Sequence, residues 1–291
     1  PVRGIAPVER LLERLLREWK PDAVVCTYMV YPYMLDSLAS RTGRAVPYLT
    51  VVTDSFVINK SWLCSKSPLW AVTDPWTRAI MEEKGLPQDR LRVTGFPVNP
   101  VLGALAKEHP LSWKEGEPFR VLYFAQRSAR HARAELAGML DANPALHVTC
   151  ILGRRFRRIY PRIRDLRARY GRRLTVRGWT RRVPSYLAAS HVVVGKAGGA
   201  TVHEVLAAAR PMLVNFLLPG QEEGNTRLLE KLGGGSHVPD ARALASALQE
   251  MMADGGAQWR RMHENLLRAG MTGGSGRIAD LALKLAEEHT N

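Results

Sequence analysis

Apolar residues recur along this chain with two different periods. Over VERLLERLLREW, residues 8–19, Val8, Leu11, Leu12, Leu15, Leu16 and Trp19 fall at helical spacing. Short apolar runs then read as buried strands at 22–28 (DAVVCTY), 48–54 (YLTVVTD) and 69–73. Residues 75–84 read as a helix, with Pro75 at its first position and Gly85 after its last. LRVTGFPV, 91–98, is a strand ending in a proline-rich turn. Alternating helices and short apolar strands are the signature of a parallel α/β sheet.

The pattern lapses over 99–118, NPVLGALAKEHPLSWKEGEP, where three prolines sit among small and charged residues. This stretch predicts a linker between a first domain, 1–98, and a second, 119–272, which a final helix over 273–291 follows. Beyond it the alternation restarts. Strands are predicted at 119–125, 147–152, 174–178, 192–195 and 212–216. Helices are predicted at 129–140, 183–189, 201–209, from about 222, and at 241–253, 256–269 and 276–288, with an arginine-rich helix after the second strand. The second half thus reads as a doubly wound domain, which binds ligands at the C-terminal ends of its strands near the switch in strand order.

Composition adds bounds. The chain has 291 residues, 46% hydrophobic and 24% charged, enough to bury real cores. No apolar run reaches the ~18 residues of a membrane-spanning helix, and no secretory signal precedes the first helix. The first residue is Pro1 rather than Met, so a longer or processed N-terminal region is expected. Cys26, Cys64 and Cys150 lack metal or disulfide spacing and read as small buried hydrophobes in a reduced, cytoplasmic setting. Eight histidines without a His-x-x-x-His pair predict no metal site.

Charge changes the picture more. The net charge is +15, and residues 153–182 hold thirteen arginines against a single acid, Asp165. Such a surface attracts anions: nucleic acid, an anionic membrane or phosphorylated substrates. Phe156, Tyr160 and Tyr170 are too few to supply the interleaved aromatics of a nucleic-acid surface, so no nucleic acid is expected.

Candidate chemistry gathers at strand ends. VVVGKAGGATVHEVL, 192–206, runs from a strand through Lys196, Ala197, Gly198, Gly199 and Ala200 into a helix at Thr201. It matches neither G-x-x-x-x-G-K-[ST] nor G-x-G-x-x-G. Its small residues let a ligand approach the backbone, and the helix N-terminus favours an anion. Thr201 and Glu204 have capping-box spacing, so Glu204 either reaches back to the helix start or turns its carboxylate to a sugar diol. His203 reads as a packing or surface residue rather than a base. The next strand end, NFLLPGQEEGN, 215–225, crowds Gln221, Glu222 and Asn225 around two glycines, either as a polar helix cap or as groups for a hydroxylated ligand. The two ends together outline a phosphate beside a polyhydroxyl group, as in a nucleotide-sugar. Trp179 after Gly178 either stacks on a base or packs. Arg154 in ILGRRF, and Arg127 and Ser128 in FAQRSAR, are candidate diphosphate contacts. In the first half, Asp54 ends a strand shortly before Asn59 in NKSW, where it either caps a loop or sits at the interdomain cleft.

The combination LTVRGW, GKAGGATVHEVL and PMLVNFLLPGQEEGN resembles the monogalactosyldiacylglycerol synthases and processive diacylglycerol glucosyltransferases, relatives of the lipid II UDP-GlcNAc transferase. TVVTD, AVTDPWTRAIMEEKGL and LRVTGFPVNP resemble the same family's acceptor-side domain, so the likeness covers about residues 7–235. It implies a GT-B fold, two Rossmann-like domains facing a cleft, with the N-terminal one incomplete here and the final helix, 273–291, crossing back to it. It implies an inverting, metal-independent transfer of a hexose from a UDP-sugar to a lipid such as diacylglycerol, with no cofactor, by a protein peripheral to the membrane. By that likeness Gly198, Gly199 and the helix from Thr201 face the diphosphate, and Glu204 holds the ribose. Gln221, Glu222 and Asn225 read the sugar, and Gly178 and Trp179 line the uracil pocket. Three departures stand out. The family's opening glycine-rich loop with its histidine is not present, FAQRSAR lacks glycine, and Asn59 stands where a histidine is usual. Asp54 then becomes the candidate for orienting or deprotonating the acceptor. A homologue that binds UDP-sugar without transferring it is the alternative.

Overall fold

The computed structural model describes residues 6–108 and 111–290. They form two compact units: residues 6–97 with 273–290, and residues 98–108 with 111–272.

In unit 1, helices α1 (Ala6–Trp19), α2 (Val30–Thr42) and α3 (Pro75–Glu83) alternate with strands β1 (Val24–Cys26), β2 (Tyr48–Val51), β3 (Leu69–Val72) and β4 (Leu91–Val93). The strands pair in parallel in the order β1-β2-β3-β4. Val52, Trp62, Trp70, Val72, Met81 and Leu91 fill one side of the sheet. The last helix of the chain, α12 (Gly274–Thr290), lays Ile278 and Leu281 against Leu49, Val51 and Ala71 on another cluster. Its start approaches the chain so closely that a Cβ on Gly274 would lie 2.1 Å from the Phe96 carbonyl oxygen. The sequence pattern missed α2, whose YPYMLD run hides a helix with buried Met34, Leu35 and Leu38.

Unit 2 opens with α4 (Val101–Glu108), inside the stretch expected to be a linker. Leu102 and Trp113 are buried, Trp113 in the main core, so residues 99–118 belong to unit 2 rather than to a free junction. Two large apolar side chains explain this, because leaving them in water would cost about 1.5–3 kcal/mol each. The strands β5 (Phe119–Phe124), β6 (Leu146–Ile151), β7 (Leu174–Arg177), β8 (Val192–Lys196), β9 (Met212–Phe216) and β10 (Gly235–His237) all run parallel, in the order β10-β9-β8-β5-β6-β7. The order reverses between β5 and β8, so the crevice above that pair is the switch point where doubly wound sheets bind ligands. Helices α5 (Ala129–Ala142), α6 (Phe156–Ile159), α7 (Arg164–Tyr170), α8 (Val183–Ala189), α9 (Gly199–Ala207), α10 (Gln221–Lys231) and α11 (Ala241–Ala269) connect or cover the strands. The arginine-rich segment is not one helix: Pro161 sits in a 3-10 turn between α6 and α7, and Gly171 ends α7 at φ +55°. Non-helical Ala253–Gly256 divides α11, as the Gly-Gly pair predicts.

One buried group pins the switch point. Glu135 of α5 is 2% exposed and lies in that helix's apolar stripe with Ala132, Leu136 and Met139. Its carboxylate accepts from Tyr123 Oη at 2.6 Å on β5 and from Asn215 Nδ2 at 2.7 Å on β9. Arg127 Nη1, on the loop after β5, lies 3.4 Å from it. Burial and the carboxylate push the Tyr123 phenol well above its ordinary pKa, so it stays a donor. Removing the carboxylate leaves a cation and two buried donors unpaired. Glu135→Ala is expected to cost about 3–5 kcal/mol of unfolding free energy, measured by urea titration; a loss below ~1 kcal/mol would count against the pin.

Candidate functional site

β8 and β9 are neighbours, and a register shift at Gly195/Lys196 redirects the end of β8. That brings the two polar strand ends of the sequence together. Lys196 Nζ forms a tight ion pair with Glu222 Oε1. Glu222 Oε2 also accepts the Leu218 N–H at 2.7 Å, closing the loop between β9 and α10. Gly220 takes φ +92° at the start of α10, a left-handed turn suited to glycine. Asn225 is buried at 1% exposure; its Nδ2 donates to the Ala197 carbonyl at 2.9 Å, and its buried Oδ1 has no hydrogen-bond partner among the described residues. Expected to read a sugar, Asn225 instead ties α10 to the end of β8, because its amide points into the protein. Glu222 is likewise engaged with Lys196 and Leu218. The Gln221 side chain lies outside the described residues.

The structure does not form the capping box that Thr201 and Glu204 could have made. Helix α9 starts at Gly199 with Gly198 as its N-cap residue, two residues earlier than expected, and no side chain caps it. Thr201 is therefore the third helical residue, and no capping box forms. Glu204 sits a further turn along, partly buried, and among the described residues its carboxylate has no hydrogen bond or ion pair. Burial raises its pKa. A Cβ at Gly198 would touch Lys196 Cε at 3.6 Å and Nζ at 3.7 Å, which is ordinary contact, so packing alone does not require glycine there. His203 is buried, and burial drives its pKa down to about 3, which keeps the ring neutral and makes it a packing residue.

On the other side of the switch point, the loop after β5 opens a pocket of about 440 Å³ lined by Gln126, Ser128, His131, Arg155, Arg158 and Phe216 among others. Ser128 caps α5 and its hydroxyl lies 2.8 Å from His131 Nδ1. Arg127 is held by Glu135 and lies over the Phe216 ring. Arg155 Nη1 reaches the Gln126 carbonyl at 2.5 Å. Arg154, the residue named from the sequence, is exposed and lines no part of this pocket, whereas Arg155 and Arg158 do. His131, Arg155 and Arg158 were missed; the helix phase of FRRI, which buries Ile159, was the signal available. Gly178 packs against Phe156, and Trp179 is 60% exposed beneath the Arg181 guanidinium.

In unit 1, Asp54 is 1% exposed and accepts the Trp62 indole N–H at 2.7 Å. The structure thus assigns Asp54 a buried anchoring role and does not present it as a base. The indole demands an acceptor once buried, and Asp54 supplies it. Asn59 caps the short turn 60–63. Among the described residues no group of three or more His, Cys, Asp or Glu side chains is placed to hold a metal ion.

Comparison with known proteins agrees with this architecture. Residues 6–98 match the monogalactosyldiacylglycerol (MGDG) synthase family model, and residues 136–275 match the glycosyltransferase family 28 C-terminal domain. Both halves of the chain match glycosyltransferase families. The processive diacylglycerol beta-glucosyltransferase of Bacillus subtilis (strain 168) is 24% identical over 285 residues, covering 96% of this chain and 73% of that protein. Its Staphylococcus carnosus (strain TM300) counterpart is 25% identical over 252 residues, covering 85% of this chain but 63% of that protein. Among solved structures, MurG of Acinetobacter baumannii superposes with a TM-score of 0.65 at 15% identity, covering 93% of this chain and 76% of that one. UDP-GlcNAc 2-epimerase of Neisseria meningitidis, bound to UDP-GlcNAc, gives 0.68 at 13% identity, covering 98% and 83%. The fold is GT-B.

The raised pKa of Glu204 has a definite consequence for stability. A carboxyl that holds its proton more tightly when folded stabilises the protein below its ordinary pKa, and that contribution is lost as pH rises through the folded value. Glu204→Gln is therefore expected to melt higher than the wild type at pH 8 and to match it near pH 3.5. A variant that instead melts lower than the wild type at pH 8, with the gap closing toward acid, would show that the Glu204 carboxylate has a stabilising partner.

Proposed function

We propose that the chain is a glycosyltransferase that moves a hexose from a UDP-sugar to a membrane lipid of the diacylglycerol type. The observation that carries this reading is the partly buried, unpartnered carboxylate of Glu204 one turn into a helix whose bare N-terminus opens at Gly198. A carboxylate desolvated without a partner is costly unless a ligand supplies donors, and a ribose diol supplies two. The first-turn N–H groups of α9 point out beyond Gly198 and favour the diphosphate. Across the switch point, the α5 N-terminus, Arg155 and Arg158 supply further positive charge.

In this reading Glu204 orients the nucleotide, and the Lys196–Glu222 pair holds the β9–α10 loop where a hexose lies. The Trp179 loop receives the uracil. As the sugar–phosphate bond breaks, negative charge grows on the leaving UDP. The α9 N-terminus and the arginines, fixed before the reaction, stabilise that charge with little reorganisation. Attack by the lipid hydroxyl on the face opposite UDP inverts the anomeric centre. The family matches and the names of the relatives support a lipid acceptor and peripheral membrane association.

A second reading, a homologue that binds UDP-sugar without transfer, is favoured by one observation: the buried Asp54 leaves the acceptor without the base the sequence suggested. Calorimetric titration with UDP and a transfer assay on diacylglycerol separate the two. UDP is expected to bind, and Glu204→Ala to weaken it on the order of 10- to 100-fold, the worth of one or two hydrogen bonds to a charged group. Unchanged affinity in that variant would remove the ground for the reading. UDP binding with no transfer by the wild type selects the second one.

A further inference from the structure

The thirteen arginines of 153–182 have separated fates. Arg133, from α5, pairs bidentately with Asp165, using the segment's single acid. Arg169 takes Asp141, Arg173 caps the Leu140 and Asn143 carbonyls, and Arg155 holds the loop after β5. Inward, Ile159, Ile163, Leu166 and Tyr170 are buried in the core. Of the ten others, Arg167, Arg172 and Arg177 fall together in one pocket. All three are exposed, and among the described residues none has an ion pair or hydrogen bond from its side chain. Together with Gly171, Leu174, Thr175 and Val176 they line a pocket of about 440 Å³ along β7. That strand is one of the two edges of the six-stranded sheet. This cluster is separate from the pocket assigned above to the donor diphosphate, with which it shares no residue.

We propose that the β7-edge pocket of Arg167, Arg172 and Arg177 binds the phosphate of anionic membrane phospholipids and seats unit 2 on the bilayer surface. The proposal rests on the lipid-acceptor reading for its choice of occupant and on the pocket for its place. Guanidinium groups match phosphate oxygens bidentately. Three of them facing one pocket without a counter-ion leave a concentrated positive field. The face offers no large apolar side chain for insertion, since its isoleucines, Leu166 and Tyr170 turn inward. Contact is therefore electrostatic, at the headgroup level. Single-stranded nucleic acid is the poorer fit, because it needs aromatic platforms for its bases. Here Phe156 and Tyr160 stack on each other and Tyr170 is buried, which leaves Trp179, 60% exposed beside Arg181, as a lone ring rather than a run of platforms.

The test is co-sedimentation with vesicles of phosphatidylglycerol and phosphatidylcholine, against phosphatidylcholine alone, at 50 and 300 mM salt. The wild type is expected to bind only the anionic vesicles, and less at high salt. Replacing Arg167, Arg172 and Arg177 together by Gln is expected to lower partitioning on the order of 100-fold, about fivefold for each charge removed. Replacement of all three by Lys keeps the charge and is expected to bind, which distinguishes lost charge from lost folding. A control triple, Lys114→Gln, Arg242→Gln and Arg261→Gln, removes equal charge elsewhere on unit 2 and is expected to fall far less. UDP calorimetry on the same proteins reports on the donor reading, so loss of that reading would leave the vesicle result intact. Equal vesicle binding by the two Gln triples overturns the proposal, as does equal binding of neutral vesicles. So does displacement by millimolar inorganic phosphate without vesicle binding, or a preference for random single-stranded RNA at equal phosphate concentration.

Discussion

Everything proposed for unit 2 depends on one buried carboxylate. Glu135 accepts from Tyr123 on β5 and Asn215 on β9, so a single side chain spans the β8 strand between them. It also holds Arg127, which lies over Phe216 at the end of β9. The sheet reverses its strand order at this point, and no helix crossover joins β5 to β8 directly. A charge-assisted bridge in a site of low dielectric is a strong and directional substitute. It fixes the spacing of the loops after β5, β8 and β9, and so the width of the crevice they line.

Carboxylates then divide by whether the fold uses them. Glu135 is used within the core, and Glu222 is used by Lys196 and the Leu218 amide. Asp54 is used by Trp62. Glu204 is not used. Sequence spacing ranks these residues otherwise, because Thr201 and Glu204 fit a capping box and Asp54 ends a strand near a polar loop. Partners, not spacing, separate an anchoring carboxylate from one free to receive a ligand. The same logic moves Asn225 from ligand reader to tie, since its amide reaches the Ala197 carbonyl.

What was legible in the sequence follows the physics of each element. Strands β8 and β9 are buried on both faces over their first four residues, and β5 from Val121 to Tyr123, so they read as largely apolar runs. The α11 break announces itself through Gly255 and Gly256. Helix α2 was illegible because its first turn carries Tyr31, Pro32 and Tyr33, which mimic a strand or turn, and its buried stripe opens on Pro32 rather than on an aliphatic side chain. Strand β10, Gly-Ser-His, has no apolar pattern at all; β9 recruits it by backbone pairing. The α9 start was misplaced by two residues, because glycine at N-cap and N1 leaves no side-chain signal. The donor-side motifs were legible as motifs, but which atoms they leave free was not, since that depends on side chains 20 to 90 positions apart.

The arginine segment shows how far fold alone accounts for its composition. An edge strand needs charge to resist pairing with another sheet, and β7 is four residues long, so Arg177 alone serves that end. Arg173 and Arg169 cap carbonyls or pair with Asp141. Arg167 and Arg172 answer to neither need, and like charges in one pocket repel, which opposes the folded state. Two further guanidiniums beside Arg177 around one cavity are thus a cost that packing, capping and edge protection leave unexplained. A surface phosphate removes it, because each anion brought in converts that mutual repulsion into shared attraction.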